Sequence, residues 1–160
     1  MLDFYDVDLQ YINYLKTIDN HIPDIVYTST NKFVCGIVLI INDIEYVAPV
    51  SSNIKPMKTS FPILDKNGKT VSTIRFSFMF PSLPSVIHSR SINTIAKTNP
   101  KYANLMRMEL HYCQTHESEI LAMAQKIYKI GCNKNHYLNK VCCDFLRLEQ
   151  EYQNYTFPSG

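Results

Sequence analysis

Residues 32–55, KFVCGIVLIINDIEYVAPVSSNIK, constrain the fold more than any other stretch of the chain. An apolar run from Phe33 to Ile41 turns at Asn42-Asp43 and returns through Tyr46 to Pro49. The arm stops at a hydroxyl pair, Ser51-Ser52, with Lys32 ahead of it and Lys55 behind. A hairpin of this kind is rigid, and it holds small polar groups and cations at the mouth of a sheet. Catalytic groups work when a packed element fixes their geometry. The same pattern also describes a core hairpin followed by a polar loop.

The rest of the chain reads around this arm. Residues 3–7 predict a short edge strand, and Asp8 is placed to cap a helix over 9–20 with Leu9, Ile12, Leu15 and Ile18 at helical spacing. Tyr11 and Tyr14 fall on the flanks of that stripe, where a ring packs with its hydroxyl exposed. The loop IPDIVYTSTNK brings Tyr27 and Lys32 to the start of the hairpin. After Lys55 a basic connection leads to a strand over 61–64, a DKNGK turn with Asn67-Gly68 at positive φ, and a strand VSTIRFSFMF. In that strand Ile74, Phe76, Phe78 and Phe80 face one side, and Arg75 faces the open one. Residues 85–98 read as a further strand and then a loop.

From Asn99-Pro100 the texture is helical, with Asn99 capping and Pro100 at the first position. A second helix starts at Thr115 or Ser118 and ends at Gly131, and a third covers 137–153. Strands first and helices later, without βαβ alternation, predict one α+β domain over residues 1–160 with a mainly antiparallel sheet.

Charge narrows the function. A formal net charge of +2 does not announce a polyanionic partner, but the charge is unevenly spread. Residues 1–24 carry five Asp and one Lys, whereas residues 25–110 carry ten Lys or Arg against four acids. Phosphate binding needs a local basic field more than a global one. The five cysteines follow no disulfide framework, which fits reduced thiols inside a cell. Cys132, His136, Cys142 and Cys143 match no zinc spacing, and no metal or cofactor is expected. The acidic N-terminus is no signal peptide and no apolar run is long enough to span a membrane, so the expected compartment is the cytoplasm.

Glycine-rich phosphate loops, paired carboxylates and Ser-His-Asp signatures are absent. What remains is the group Ser51, Ser52, Lys32, Lys55 and Tyr27. Cutting RNA without a metal requires removing a proton from a 2′-hydroxyl, stabilising a crowded phosphorane and protonating the 5′-oxygen. Lysines and hydroxyls can hold the non-bridging oxygens, and a lysine or tyrosine can move the proton. A non-catalytic RNA-binding module and a structural α+β protein without an RNA role fit the same residues.

The order of the pieces resembles one family. FYDVDLQYINYLK, KFVCGIVLIIN, EYVAPVSS, the DKNGK turn, FSFMFPSLP and KYANLMRMELHYCQTHESEIL together resemble the ToxN/AbiQ/CptN family of type III toxin–antitoxin endoribonucleases. The resemblance implies a fold similar to Kid/MazF-like toxins, a strongly twisted antiparallel sheet wrapped by helices. It further implies metal-independent RNA cleavage to 2′,3′-cyclic phosphate and 5′-hydroxyl ends. The expected partner is a repeat-RNA antitoxin that the toxin processes, and whose pseudoknot units block the site in a closed protein–RNA assembly without direct protein oligomerisation. By position, the family's hydroxyl pair falls on Ser51 and Ser52, its preceding lysine on Lys32, its helix tyrosine on Tyr11 and its loop tyrosine on Tyr27. The family's Pro-Lys after the hydroxyls is Asn53-Ile54-Lys55 here, so that either Lys55 or Lys58 takes the lysine position. The late-helix aromatic falls on Tyr112 and the polar residue one turn on at His116, with Gln114 where a basic residue is frequent. Arg75, Lys58, Lys97, Lys101 and Arg107 complete the expected RNA contacts, because the central segment holds the basic excess.

Overall fold

Asn42 and Asp43 both take positive φ, 51° and 64°. A two-residue turn with this geometry matches the twist of the strands it joins. It links β2 (Phe33–Ile41) to β3 (Ile44–Ser51), paired antiparallel from Ile41↔Ile44 down to Phe33↔Ser51. Cys35, Ile37, Leu39 and Ile41 are buried, as are the residues Tyr46, Ala48 and Val50 that share their face. Gly36 is required on the other face, since a Cβ there would lie 2.4 Å from Val47 Cγ1. The computed structural model describes residues 1–24 and 33–158. Tyr27 and Lys32 lie outside the described residues, as does most of the loop that carries them.

Around this hairpin the described residues form a seven-stranded sheet in which every pairing is antiparallel. The strands are β1 (Phe4–Val7), β2, β3, β4 (Ser60–Leu64), β5 (Thr70–Arg75), β6 (Phe80–Pro81) and β7 (Ile87–Ser89). Their order is β4-β5-β3-β2-β1-β7, and β6 pairs with the far end of β3. Three strand expectations need correction. β1 is not an edge, because β7 pairs along its outer side. In the DKNGK turn only Gly68 takes positive φ, 78°, while the Asp65 carboxylate accepts from the Asn67 and Lys69 amides at 2.8 and 2.9 Å. The alternation read across 71–80 is not one strand. β5 ends at Arg75, residues 76–78 form a 3-10 turn, and β6 rejoins β3 at Tyr46 and Val47. The turn is held by Phe76 N to Thr59 O at 3.2 Å and Cys143 N to Ser77 O at 2.8 Å.

Five α-helices occur among the described residues, making an α+β fold: α1 (Leu9–Ile18), α2 (Ile92–Thr98), α3 (Pro100–Thr115), α4 (Glu117–Cys132) and α5 (Phe145–Glu151). α3 begins as its sequence requires, with Asn99 Oδ1 accepting from Tyr102 N at 3.1 Å. α1 lacks its expected cap, because the Asp8 carboxylate is engaged by His88 Nε2 at 2.8 Å. Residues 92–98 are helix rather than loop, and Ser91 Oγ caps them by accepting from Thr94 N. Gly131 lies within α4 and does not terminate it. A Cβ there would meet Phe145 Cε2 at 2.1 Å, so this glycine lets the Phe145 ring against the helix. The helix expected over 137–153 shrinks to α5. Residues 139–141 make a 3-10 turn, Cys142 is extended, and helix starts only where Asp144 caps it by accepting from Arg147 N at 3.2 Å.

All five cysteines are free, and burial pushes the Cys142 and Cys113 thiols up to about 11 and about 12. Among the described residues no group of His, Cys, Asp and Glu is placed to hold a metal ion. No described helix is long and apolar enough to cross a membrane.

Candidate nucleic-acid interface at the Ser51–Lys58 loop

Ser51 is the last residue of β3, held opposite Phe33 of β2 and Thr73 of β5, and it is 1% exposed. The next residues leave the sheet in a turn that their own side chains define. Ser51 Oγ accepts from Asn53 N at 3.1 Å, and Asn53 Oδ1 accepts from Lys55 N at 3.0 Å. Such side-chain turns substitute for a backbone hydrogen bond and fix the loop locally. Beneath the loop, Asn53 O accepts from Thr73 Oγ1 and from Arg75 Nη2, both at 2.8 Å. Lys55 O accepts from the same Nη2 at 3.2 Å. Ser52, Lys55 and Lys58 are exposed along the outer surface. The loop therefore carries one exposed serine and two exposed lysines on a backbone anchored from below.

Arg75 was expected on an open sheet face as an RNA contact, and the structure places it elsewhere. Alternation does put it on the face opposite Ile74, but the Asn53–Lys55 backbone covers that face and leaves the residue 2% exposed. Burial draws the guanidinium pKa down from its ordinary value, yet arginine stays cationic. Its Nη1 is buried without a hydrogen-bond partner, as are Thr59 Oγ1 and Ser77 Oγ nearby in the fold. Among the described residues Arg75 is thus a support of the loop, a role that no local pattern signals.

Tyr11 also departs from expectation. The ring is fully buried against Phe80 and Tyr155, and its hydroxyl donates to Pro81 O at 2.5 Å. Burial, with Tyr152 and Tyr14 nearby, raises its pKa far above that of an ordinary phenol. A side chain so enclosed has no surface to offer RNA.

The remaining residues fall into two groups. Tyr112 and His116 stack at 4.0 Å and 23° at the end of α3, with Phe61 of β4 at 6.5 Å from the imidazole. His116 Nδ1 lies 2.8 Å from Tyr112 O, and burial, then Glu119, raises the Tyr112 pKa. Phe61 pairs with Ile74 while Ser60 pairs with Arg75, so this stack and the guanidinium occupy opposite faces of the β4–β5 ladder. Gln114 is tied to Leu2 O at 2.9 Å. Lys97 and Lys101 are exposed on α2 and α3, and Arg107 donates to Asn93 and Asn104, binding that helical hairpin together. Two residues that no local pattern singles out touch the loop, Thr73 from beneath and Tyr137, whose hydroxyl accepts from Lys58 Nζ at 3.1 Å.

The model of the family described as toxin ToxN, type III toxin–antitoxin system, matches residues 3–153. The chain belongs to the ToxN family. The Endoribonuclease ToxN of Bacillus thuringiensis subsp. kurstaki is 25% identical over 95% of this chain and 83% of its own length. The Endoribonuclease ToxN of Pectobacterium atrosepticum is 24% identical over 96% of this chain and 94% of its own. Solved ToxN-like structures share the fold. One, from work on selective toxin inhibition by a non-coding RNA pseudoknot in type III systems, superposes with a TM-score of 0.87 at 22% identity, covering 96% of this chain and 97% of that one. Another is AbiQ, a lactococcal anti-phage endoribonuclease of the type III class, with a TM-score of 0.79 at 20% identity over 97% and 98% of the two chains.

Proposed function

We propose that this ToxN-family toxin is an endoribonuclease acting as one domain over residues 1–160, and that the scissile phosphate sits on the Ser51–Lys58 loop. The 2′-hydroxyl attacks phosphorus, a 2′-O–P bond forms, the P–O5′ bond breaks, and the products are a 2′,3′-cyclic phosphate and a 5′-hydroxyl. One proton leaves the 2′-oxygen and one reaches the 5′-oxygen. Lys32, Lys55 and Tyr27 are the groups assigned to exchange them, and the reaction then has no need of a metal. Ser52 and the ammonium groups of Lys55 and Lys58 stabilise charge on the non-bridging oxygens. Ser51 works through the loop, since its hydroxyl is committed to Asn53 N.

The observation that carries this reading is a loop with Ser52, Lys55 and Lys58 exposed and its carbonyls gripped from beneath by Thr73 and Arg75. A structured repeat RNA that the enzyme cuts and retains is the inhibitor that fits a ToxN-family toxin, and the cytoplasm is the compartment where both RNAs occur. Ser52→Ala is expected to abolish growth arrest and RNA cleavage while circular dichroism stays that of the parent. A folded Ser52→Ala protein that still arrests growth refutes the assignment, and one that shifts RNA on a gel under conditions where the parent never cuts favours a pure RNA-binding module.

A further inference from the structure

Between α4 and α5 the chain reads NKNHYLNKVCCD, with Lys134 and Lys140 early and one acid, Asp144, at its end. The segment is short, polar and tightly built. His136 N donates to Asn133 O at 3.1 Å, Asn139 N to His136 O at 3.0 Å, and Asn139 Nδ2 to Ile130 O and Gly131 O at 3.0 Å each. His136 Nδ1 accepts from Leu138 N at 3.1 Å, which fixes the imidazole and puts the proton of its neutral form on Nε2. Against that ring lies Tyr137, at 4.9 Å and 19°, yet Tyr137 is 63% exposed. A large aromatic ring held this rigidly in water contributes nothing to the core. Its hydroxyl accepts from Lys58 Nζ, 79 residues away in the chain and on the loop described above. The ammonium lies 5.3 Å from the ring centroid. The cation therefore lies over the ring as well as on its hydroxyl, and the residue as a whole still stays 63% exposed.

We propose that Tyr137, backed by His136, is a stacking platform for an unpaired RNA base adjoining the scissile phosphate, with Lys58 holding the phosphate between them. The proposal rests on the reading that the Ser51–Lys58 loop receives that phosphate. Nucleobases all carry a π-face, so an exposed, preoriented ring beside a cation takes a single-stranded nucleotide with little regard to sequence. Lys134 and Lys140, both exposed, flank Tyr137 in sequence and add positive charge beside it, while Asp144 sits at the far end of the segment as the cap of α5.

The test uses the full chain and a single-stranded 2′-O-methyl RNA dodecamer of mixed sequence, which cannot be cut, carrying one 2-aminopurine. A dodecamer of the same backbone without bases is the control. Tyr137→Ala is expected to weaken binding of the base-bearing probe by roughly 5- to 150-fold and to abolish the 2-aminopurine fluorescence change. Tyr137→Phe, which keeps the ring, is expected to restore both. On the base-free backbone the parent and Tyr137→Ala should bind alike, and with cleavable RNA Tyr137→Ala should raise KM and leave kcat near the parent's. Parent-like affinity of Tyr137→Ala for the base-bearing probe overturns the proposal. So does an equal loss on the base-free backbone. Cleavage by Ser52→Ala, read separately, would move the scissile phosphate off the loop without touching the stacking result.

Discussion

Replacing Arg75 by methionine isolates what holds the loop. The change deletes two hydrogen bonds from one buried Nη2, at 2.8 Å to Asn53 O and 3.2 Å to Lys55 O. Bonds from a charged donor contribute about 1.5–3 kcal/mol each, and sharing one nitrogen puts this pair near the lower end, about 3 kcal/mol together. Against this, methionine needs no desolvation of a buried charge, a term of several kcal/mol of opposite sign. Nη1 had no partner to lose, and Asn53 O keeps Thr73 Oγ1 at 2.8 Å. Global stability should therefore move by no more than about 2 kcal/mol, in either direction. The loop is affected more. Lys55 O is released, and misplacing a reacting group by about 1 Å costs on the order of 100-fold in rate. Single-turnover cleavage by Arg75→Met should fall by about that factor, with Arg75→Lys in between because its ammonium ends one bond short of the Nη2 position that reaches both carbonyls. The salt dependence of RNA binding is the discriminating assay. A guanidinium that never meets a phosphate leaves the slope of log affinity against log salt unchanged, whereas one lost contact to a single strand reduces it by about 0.7. Parent-like turnover in Arg75→Met, or a reduced slope, refutes the loop-support role.

Tyr11→Phe removes the buried hydroxyl that donates to Pro81 O, and should lower stability by about 1–2 kcal/mol in urea unfolding without changing RNA affinity. A variant with full stability and weakened RNA binding would contradict the burial. Gly131→Ala forces the Phe145 ring off α4 and out of its contacts with Tyr46 and Tyr128, destabilising the fold by about 1–3 kcal/mol by the same measurement. Glu109 is buried, which raises its carboxyl pKa, with a partial offset from the Ser72 hydroxyl at 2.5 Å. A carboxyl whose folded pKa is raised stabilises the fold below its unfolded pKa and loses that contribution as pH rises through the folded value. Glu109→Gln keeps an acceptor for Ser72 without the charge. Its Tm should therefore gain on the parent's as pH rises above the ordinary carboxylate range, and parallel curves would show that Glu109 is not the titrating group.

The parts of the fold legible in the sequence are those that local chemistry decides. Asn42-Asp43 between apolar runs places a two-residue turn and hence the register that ends on Ser51. Asn99-Pro100 starts α3 because both residues act within their own turn. What the sequence hid depends on distant chain. Alternation assigns Arg75 to the correct face, but only the folded loop shows that the face is covered. The helical spacing around Tyr11 is right, yet Pro81, 70 residues on, and Tyr155 enclose it. The Cys142-Cys143 stretch has helix-compatible spacing but is drawn out by Cys143 N pairing with Ser77 O, and helix waits for Asp144, whose own N–H donates to Asp19 Oδ2 at 2.6 Å. Burial alone would raise the Asp19 pKa, but this bond and those from His21 hold it below its ordinary value. Tyr137 had no signal at all, being one exposed aromatic in a polar loop whose meaning comes from Lys58.

The central claim is that a ToxN-family toxin cuts RNA by its own side chains at the Ser51–Lys58 loop. Purified, RNA-free protein incubated with a mixed adenine-rich RNA in EDTA, followed by end-group analysis of the products, tests it most directly. The account predicts fragments ending in 2′,3′-cyclic phosphate and beginning with 5′-hydroxyl, formed by the parent and not by Ser52→Ala. Intact RNA with the parent protein, or 5′-phosphate ends, would contradict it.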